Sequence, residues 1–233
     1  MKRFYKEVSV EPVDGAYAVR LDGRQVKTPA KRALRLPGAA LADAVAAEWA
    51  AQDTEIDAHG MRLTRLANTA IDRVADHRAA VVGEIGRYAE TDLVCYRADA
   101  PEELVRRQKE AWDPLVRWIA DRHGVSLAVT EGLFPVAQQD ESLRRVSDVV
   151  GGFDDFSLAG LHMVTSACGS VVIGLAVADA VLGGKAAWSA SLVDETFQIE
   201  EWGEDAEATR RREALLADIE AAARFLALVR QDG

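Results

Sequence analysis

The stretch AYAVRLDGRQVKTP, residues 16–29, decides how the first part of the chain folds. Alternate residues from Tyr17 to Leu21 are apolar, which is the period of two that is typical of a β-strand. Asp22 and Gly23 follow at once, and an Asp-Gly pair supplies the positive φ angles of a tight hairpin turn. The stretch therefore predicts a strand, a turn and a returning strand.

The residues around this hairpin indicate a small β-rich domain. Asp14 and Gly15 form an earlier turn signal, with a further alternating segment ahead of them. One helix follows, indicated by apolar residues at i, i+4 and i+8 that form a stripe able to pack on a sheet: Leu41, Val45 and Trp49. We interpret Trp49 as a structural residue and predict a β-rich N-terminal domain with one helix over residues 1–65.

The remainder of the chain, residues 66–233, is dominated by helical periodicity. Trp112 is interpreted as a packing residue, and Asp113 followed by Pro114 as an N-cap and first helical residue that interrupt or kink a helix. The most apolar window, residues 170–182, is too short to span a bilayer and is interpreted as a buried helix. The predicted fold class is α+β: a small N-terminal β-rich domain followed by a larger, all-helical C-terminal domain.

Charge and motif content argue against several classes of function. The 233 residues carry a formal net charge of −10, and an acidic surface repels nucleic-acid phosphates and anionic lipids. Cys95 and Cys168 do not form a disulfide framework, and the histidines lack the spacing of metal ligands. No dinucleotide fingerprint, phosphate loop, nucleophile elbow or zinc-protease motif occurs. We therefore predict no cofactor, no metal, no small-molecule substrate, no nucleic-acid partner and no membrane insertion.

One segment has an unusual pattern: AWSASLVDETFQIEEWGED, residues 187–205. On a single helix its apolar residues share one face, and the carboxylate of Glu195 lies in the middle of that face. The face is formed by Trp188, Leu192, Ile199 and Trp202. Three interpretations remain open: a core carboxylate satisfied by an arginine or backbone N–H, a binding face awaiting a basic partner residue, and a general acid or base with a raised pKa.

An acidic cluster continues beyond this face. Its members are Glu200, Glu201, Glu204, Asp205 and Glu207. Carboxylates are favourable at the start of the helix that follows, and their excess over nearby bases would also steer a basic partner towards the segment.

Several short blocks of the sequence resemble one known family, in the same order along almost the whole chain. The blocks are RFYK at 3–6, LDGR at 21–24, KTP at 27–29, AAEWAAQ at 46–52, NTAIDRV at 68–74, TDLVCYRA at 91–98, WDPLVRW at 112–118 and LVDETFQIEEWGED at 192–205. The chain resembles the assembly-chaperone family for the α subunit of the F-type ATP synthase catalytic head.

The resemblance implies a non-enzymatic role. Members of that family bind the unassembled α subunit, prevent its aggregation and promote assembly of the catalytic head. The family's functional C-terminal glutamate matches Glu195, with Asp194 as the nearest alternative, and the tryptophan of its EW motif matches Trp49. Because the chain starts directly at the first motif, we expect a bacterial protein that works in the cytoplasm, with organellar relatives in the mitochondrial matrix. The alternative from the residues alone is a hydrolase that uses Glu195 as acid or base.

Overall fold

A computed structural model of the protein describes residues 1–132, 136–203 and 205–231. The first elements form a sheet: β1 (Val8–Val13), β2 (Ala16–Leu21), β3 (Arg24–Gln25) and β4 (Arg35–Leu36). Strand β2 is central, because it pairs antiparallel with each of the other three. Its register with β1 runs from Val8 opposite Leu21 to Val13 opposite Ala16.

Two Asp-Gly turns set the register of this sheet. Asp14 and Gly15 join β1 to β2, and Asp22 and Gly23 join β2 to β3, with φ angles of 48° and 76° in both turns. A turn with two positive φ angles matches the right-handed twist of the strands it connects. The Asp22 carboxylate also accepts hydrogen bonds from the backbone N–H groups of Lys6 and Glu7.

Helix α1 (Ala39–Ala50) packs on β1 and β2 through fully buried residues such as Leu41 and Val45. At its end, the Glu48 carboxylate accepts hydrogen bonds of 2.8 Å from the backbone N–H groups of Leu63 and Thr64. A carboxylate at this position satisfies donors that have no partner in the first turn of a helix. Glu48 therefore fixes the start of α2 (Arg62–Thr69).

The rest of the described chain is mostly helical, which confirms the predicted α+β class. After α2, a π-helical turn (Ala70–Val74) leads into α3 (Ala75–Gly86), and two 3₁₀ turns (Arg87–Thr91 and Leu93–Cys95) follow. A short parallel pair of strands, β5 (Tyr96–Arg97) and β6 (Thr130–Glu131), flanks α4 (Glu102–His123). The later helices are α5 (Asp140–Gly151), α6 (Asp155–Cys168), α7 (Val171–Ala178), α8 (Gly184–Ser191), α9 (Val193–Trp202) and α10 (Ala206–Gln231).

The chain forms two compact units built from discontinuous segments. One comprises Met1–Arg78, Asp154–Gly160 and Arg224–Gly233, and the other comprises Ala79–Phe153 and Leu161–Ala223. Within the first unit, the rings of Phe156 and Phe225 stack with centroids 6.2 Å apart. The domain boundary between residues 65 and 66 stays a prediction.

The second unit is organised around α7, in which every residue is buried. Ser170 caps this helix by accepting a hydrogen bond from the Ile173 N–H, and helices α4 and α8 pack against it. Within the described ranges, no helix combines the length and the apolar character needed to cross a membrane.

The predicted interruption at Asp113 and Pro114 is wrong. Helix α4 runs without a break through Pro114. A proline inside a helix leaves the carbonyl four residues earlier without its usual donor, and because Pro114 is exposed, water can satisfy that carbonyl at Glu110. Asp113 does not act as an N-cap; its carboxylate pairs with Arg97 at 2.9 Å.

Candidate functional site

The segment that was singled out from the sequence lies in the second unit, but it is not one helix. Helix α8 ends at Ser191, Leu192 has non-helical angles (φ −118°, ψ 24°), and α9 begins at Val193. The Ser191 hydroxyl donates to the Trp188 carbonyl at 2.9 Å, an interaction that competes with continued helical hydrogen bonding. The predicted continuous stripe is therefore wrong: Trp188 lies on α8, and Ile199 and Trp202 lie on α9.

Trp188 is half-buried and packs against its own unit. Its indole N–H donates to the Arg212 carbonyl at 3.2 Å, and the Arg212 guanidinium lies 5.0 Å from its ring centroid. These contacts occupy both the polar atom and one face of the indole. Trp188 therefore holds α8 against α10.

Glu195 is neither enclosed nor free. Its carboxylate lies 3.3 Å from the Arg211 guanidinium and 3.5 Å from that of Arg212, and 31% of its side chain is exposed. This arrangement combines two of the open interpretations: the carboxylate is satisfied by arginines, yet it remains at the surface.

Asp194 faces the interior of the unit. Its carboxylate accepts a hydrogen bond of 2.7 Å from the side-chain amide of Gln108, which is only 1% exposed. Sequence reasoning did not identify Gln108 as part of the site. The available signal was a polar residue on the same face of α4 as buried Trp112, one turn away.

The outward face of α9 ends in a large exposed aromatic side chain. Trp202 is 80% exposed, and Gln198 and Glu201 beside it are also exposed. Leu192 and Ile199 are half-buried. An exposed tryptophan of this extent is the kind of anchor that dominates protein–protein interfaces.

Negative charge surrounds this tryptophan. Residues 194–207 contain seven acidic and no basic residues. Glu200 pairs with Arg107 at 2.7 Å, and Asp205 accepts hydrogen bonds from the first N–H groups of α10, whereas Glu201 and Glu207 are exposed. Glu204 lies outside the described residues. The excess charge favours a partner with basic groups next to an apolar surface.

The residues predicted to be structural differ in how deeply they are buried. Trp112 is fully buried and donates to the Ala190 carbonyl at 2.7 Å. Trp49 is half-buried, and the Tyr5 hydroxyl donates to its carbonyl at 2.7 Å. Asp22 and Gly23 form a hairpin turn, whereas Pro114 is exposed on α4.

One surface cavity contains residue types that occur in hydrolases. It is lined in part by Glu84, His162 and Ser166. The His162 ring lies 3.2 Å from the Glu84 carboxylate, but the Ser166 hydroxyl donates to the backbone carbonyls of His162 and Met163. A nucleophilic serine needs its hydrogen bond to the base, so this geometry does not activate Ser166. Among the described residues, no group of histidine, cysteine or carboxylate side chains is arranged to hold a metal ion.

An exposed tryptophan among carboxylates is typical of a surface that binds another protein, and this α+β fold presents it on a helix of the second unit. Proteins that bind other proteins during assembly, chaperones among them, are the class that such a surface favours. Residues 2–120 match the family described as ATP12 chaperone protein, and the chain belongs to that family.

Individual relatives agree with this assignment. The chain is 25% identical over 214 residues to the mitochondrial protein atp12 of Schizosaccharomyces pombe, across 87% of this chain and 74% of that protein. It also matches the crystal structure of Atp12 from Paracoccus denitrificans, with 42% identity, a TM-score of 0.93 and coverage of 98% of both chains. An aspartate-to-lysine mutant of that protein matches with the same identity and TM-score, over 98% of this chain and 97% of that one. The family resemblance is thus confirmed.

The surroundings of Glu195 give a stability prediction. We expect Glu195→Ala to lower the free energy of unfolding by about 1 kcal/mol, because a partly solvated ion pair contributes little. Arg212 keeps its hydrogen bond to Thr196 and its contact with Trp188 in this variant. Urea unfolding should be compared with that of Glu213→Ala, an exposed glutamate on α10. A loss above about 3 kcal/mol would show that Glu195 acts as a core carboxylate.

Proposed function

We propose that this protein is a molecular chaperone that binds the unassembled α subunit of F-type ATP synthase, prevents its aggregation and promotes assembly of the catalytic head. The observation that carries the proposal is Trp202, 80% exposed at the end of α9 and bordered by carboxylates. Membership of the ATP12 chaperone protein family supports the role.

The proposed client surface is the outward face of α9, which we define as Gln198, Glu201 and Trp202. The indole would pack against apolar surface that the client exposes before assembly, and Glu201 would pair with a basic residue beside it. Glu195 and Ile199 lie on the same helix as this face, Trp188 holds α8 against α10, and Leu192 lies at the break before α9. Asp194 contacts Gln108 inside the unit.

The mode of binding follows from the chemistry of this surface. A holding protein must cover an apolar interface and then yield to the subunit that belongs there, so its contacts should be moderate in strength and partly polar. One tryptophan with a rim of carboxylates meets that requirement. Displacement by the next subunit is passive exchange, so the mechanism requires no nucleotide.

The hydrolase alternative receives less support. An acid or base in catalysis needs a neighbouring group with which it can exchange a proton, and arginine side chains stay charged in proteins. The described contacts of the Glu195 carboxylate are with Arg211 and Arg212. The matching family is described as a chaperone protein, which is consistent with a non-enzymatic role.

We further propose a bacterial, cytoplasmic site of action. The relative from Schizosaccharomyces pombe is named as mitochondrial. The net charge of −10 agrees with a protein partner in preference to nucleic acid.

Co-expression with the α subunit of ATP synthase tests the proposal. We expect more soluble α subunit than in its absence, and a complex of the two proteins on gel filtration at low salt. Because opposite charges contribute to the contact, the complex should weaken at higher ionic strength. Unchanged solubility of the α subunit, with no complex at any ionic strength, would contradict the proposed function.

A further inference from the structure

We propose that Gln108 is a positioning residue for the client surface: its buried side-chain amide holds Asp194 and thereby fixes α9. The inference rests on the proposed function, because it assigns importance to the position of the helix that carries Trp202. It assigns Asp194 to an internal contact instead of a direct contact with the client.

The amide of Gln108 has only one orientation that satisfies its neighbours. Its Oε1 atom accepts a hydrogen bond of 2.8 Å from the Ala98 N–H, and its Nε2 atom donates to the Asp194 carboxylate at 2.7 Å. Rotating the amide by half a turn would place Nε2 against the Ala98 N–H and Oε1 against a carboxylate, so that donor faces donor and acceptor faces acceptor. The contact is therefore fixed in direction as well as in distance.

The part of α4 that carries Gln108 is itself held firmly. The guanidinium of Arg97, 6% exposed, donates to the Val94 carbonyl at 2.7 Å and pairs with Asp113 at 2.9 Å. The same guanidinium lies 5.1 Å from the centroid of the fully buried Trp112 ring. Gln108 thus projects from a rigid support.

Helix α9 has few other deep attachments. None of its residues is buried. Its other described side-chain polar contacts are made with arginines of α4 and α10: Arg107 and Arg211 are partly or largely exposed, and Arg212 is 12% exposed. A helix with so little buried surface has low local stability, so a charge-assisted hydrogen bond from the buried Gln108 amide has a large share in holding it.

Two buried donors of α4 bracket the break between α8 and α9. Trp112 donates to the Ala190 carbonyl, two residues before Leu192, and Gln108 donates to Asp194, two residues after it. Residues 108 and 112 lie one turn apart and face the same side of α4. Together they set where α8 ends and where α9 begins, and this determines the direction in which Trp202 points.

The test changes the pattern of donors and acceptors without changing side-chain size. Gln108→Glu places a carboxylate against the Asp194 carboxylate, and we expect the backbone amides of α9 to exchange hydrogen about tenfold faster or more. The double variant Gln108→Glu with Asp194→Asn restores one donor and one acceptor, so exchange in α9 and holding of the α subunit should both return towards their original values. Gln198→Glu is the matched control for exchange, because it adds the same charge on the exposed face of α9.

A second route avoids changing the interior. Asp194→Ala removes the half-buried carboxylate that accepts the hydrogen bond from Gln108, and it should also speed amide hydrogen exchange in α9. The amides of the buried helix α7 should keep their protection from exchange. Unchanged exchange in α9 for both Gln108→Glu and Asp194→Ala would overturn the inference. So would faster exchange without rescue by the double variant.

The failure of the inference and that of the proposed function can be told apart. If α9 exchanges faster in Gln108→Glu and holding of the α subunit is intact, Gln108 does not position a client surface. If the α subunit is not held by the unmodified protein at all, the proposed function fails, while the exchange data still decide the contact between Gln108 and Asp194.

Discussion

Trp202→Ala is expected to weaken the holding of the ATP synthase α subunit at least tenfold while leaving the fold intact. Tryptophans at the centre of interfaces commonly contribute 2 kcal/mol or more to binding, which exceeds a factor of ten in affinity. Trp202 is 80% exposed, so the truncated side chain leaves no cavity in the protein. The free energy of unfolding should change by no more than about 0.5 kcal/mol. Pull-down of the α subunit at graded concentrations, with urea unfolding alongside, measures both quantities.

Phe4→Ala is the matched control for this prediction. Phe4 is a second exposed aromatic residue, 64% exposed, and it belongs to the other unit. We expect the α subunit to be held as well by this variant as by the original protein. If both variants hold the α subunit equally poorly, exposed aromatic surface in general binds the client. If Trp202→Ala holds the α subunit as well as the original protein does, α9 is not the client surface.

The largest expected effect on stability is at Asp92. This carboxylate is fully buried and accepts hydrogen bonds from the N–H groups of Val94 at 3.2 Å and Val172 at 3.1 Å, with further bonds to Ser170 and Val171. Asp92→Ala would leave these donors without an acceptor at the start of the buried helix α7. We expect a loss of about 3–5 kcal/mol in the free energy of unfolding, measured in urea.

Asp121→Ala serves as the control for Asp92, because it removes an exposed aspartate from α4 in the same unit. This change should cost no more than about 0.5 kcal/mol. A loss of similar size in both variants would mean that the bonds of Asp92 do not stabilise the fold.

Asp92 should also give the protein a distinctive pH dependence. Burial raises the pKa of Asp92 from the ordinary 3.8 to about 6, so between these values the folded protein binds a proton that the unfolded chain does not. The contribution of Asp92 to stability therefore rises as the pH falls from about 6 towards 4, and is level outside that window. The free energy of unfolding should be measured for the original protein and for the Asp92→Asn variant. The advantage of the original protein over the variant should grow by roughly 3 kcal/mol between pH 7 and pH 4. An advantage that shrinks on acidification would show that the pKa of Asp92 is lowered in the folded protein, not raised.

The sheet and its turns could be predicted from local sequence because their causes are local. Asp-Gly pairs at 14–15 and 22–23 specify tight turns through the φ angles of their own residues, and the alternation up to Leu21 marks one buried face. The same holds for α7, whose uninterrupted apolar run matches complete burial. Such features need no knowledge of distant residues.

The errors arose where distant contacts or single hydrogen bonds decided the structure. A proline normally ends a helix, but α4 continues through Pro114 because the turn around this residue is exposed to water. The break at Leu192 depends on a hydroxyl bond from Ser191 and on the two donors of α4, none of which appears in a periodicity pattern. Periodicity grouped Glu195 with Trp188 on one helix face, which the break at Leu192 rules out, and it could not show which arginines would pair with Glu195.

The most direct test of the central claim is site-specific photo-cross-linking from position 202 to the ATP synthase α subunit. An aromatic photoreactive amino acid at position 202, which keeps a ring in place of the indole, should give a covalent product with the α subunit. The same amino acid at position 181, where Val181 is 48% exposed in the same unit, should not. The product should not form when the next subunit of the catalytic head is added before irradiation, because that subunit displaces the chaperone. Cross-linking from position 181 with none from position 202 would contradict the account.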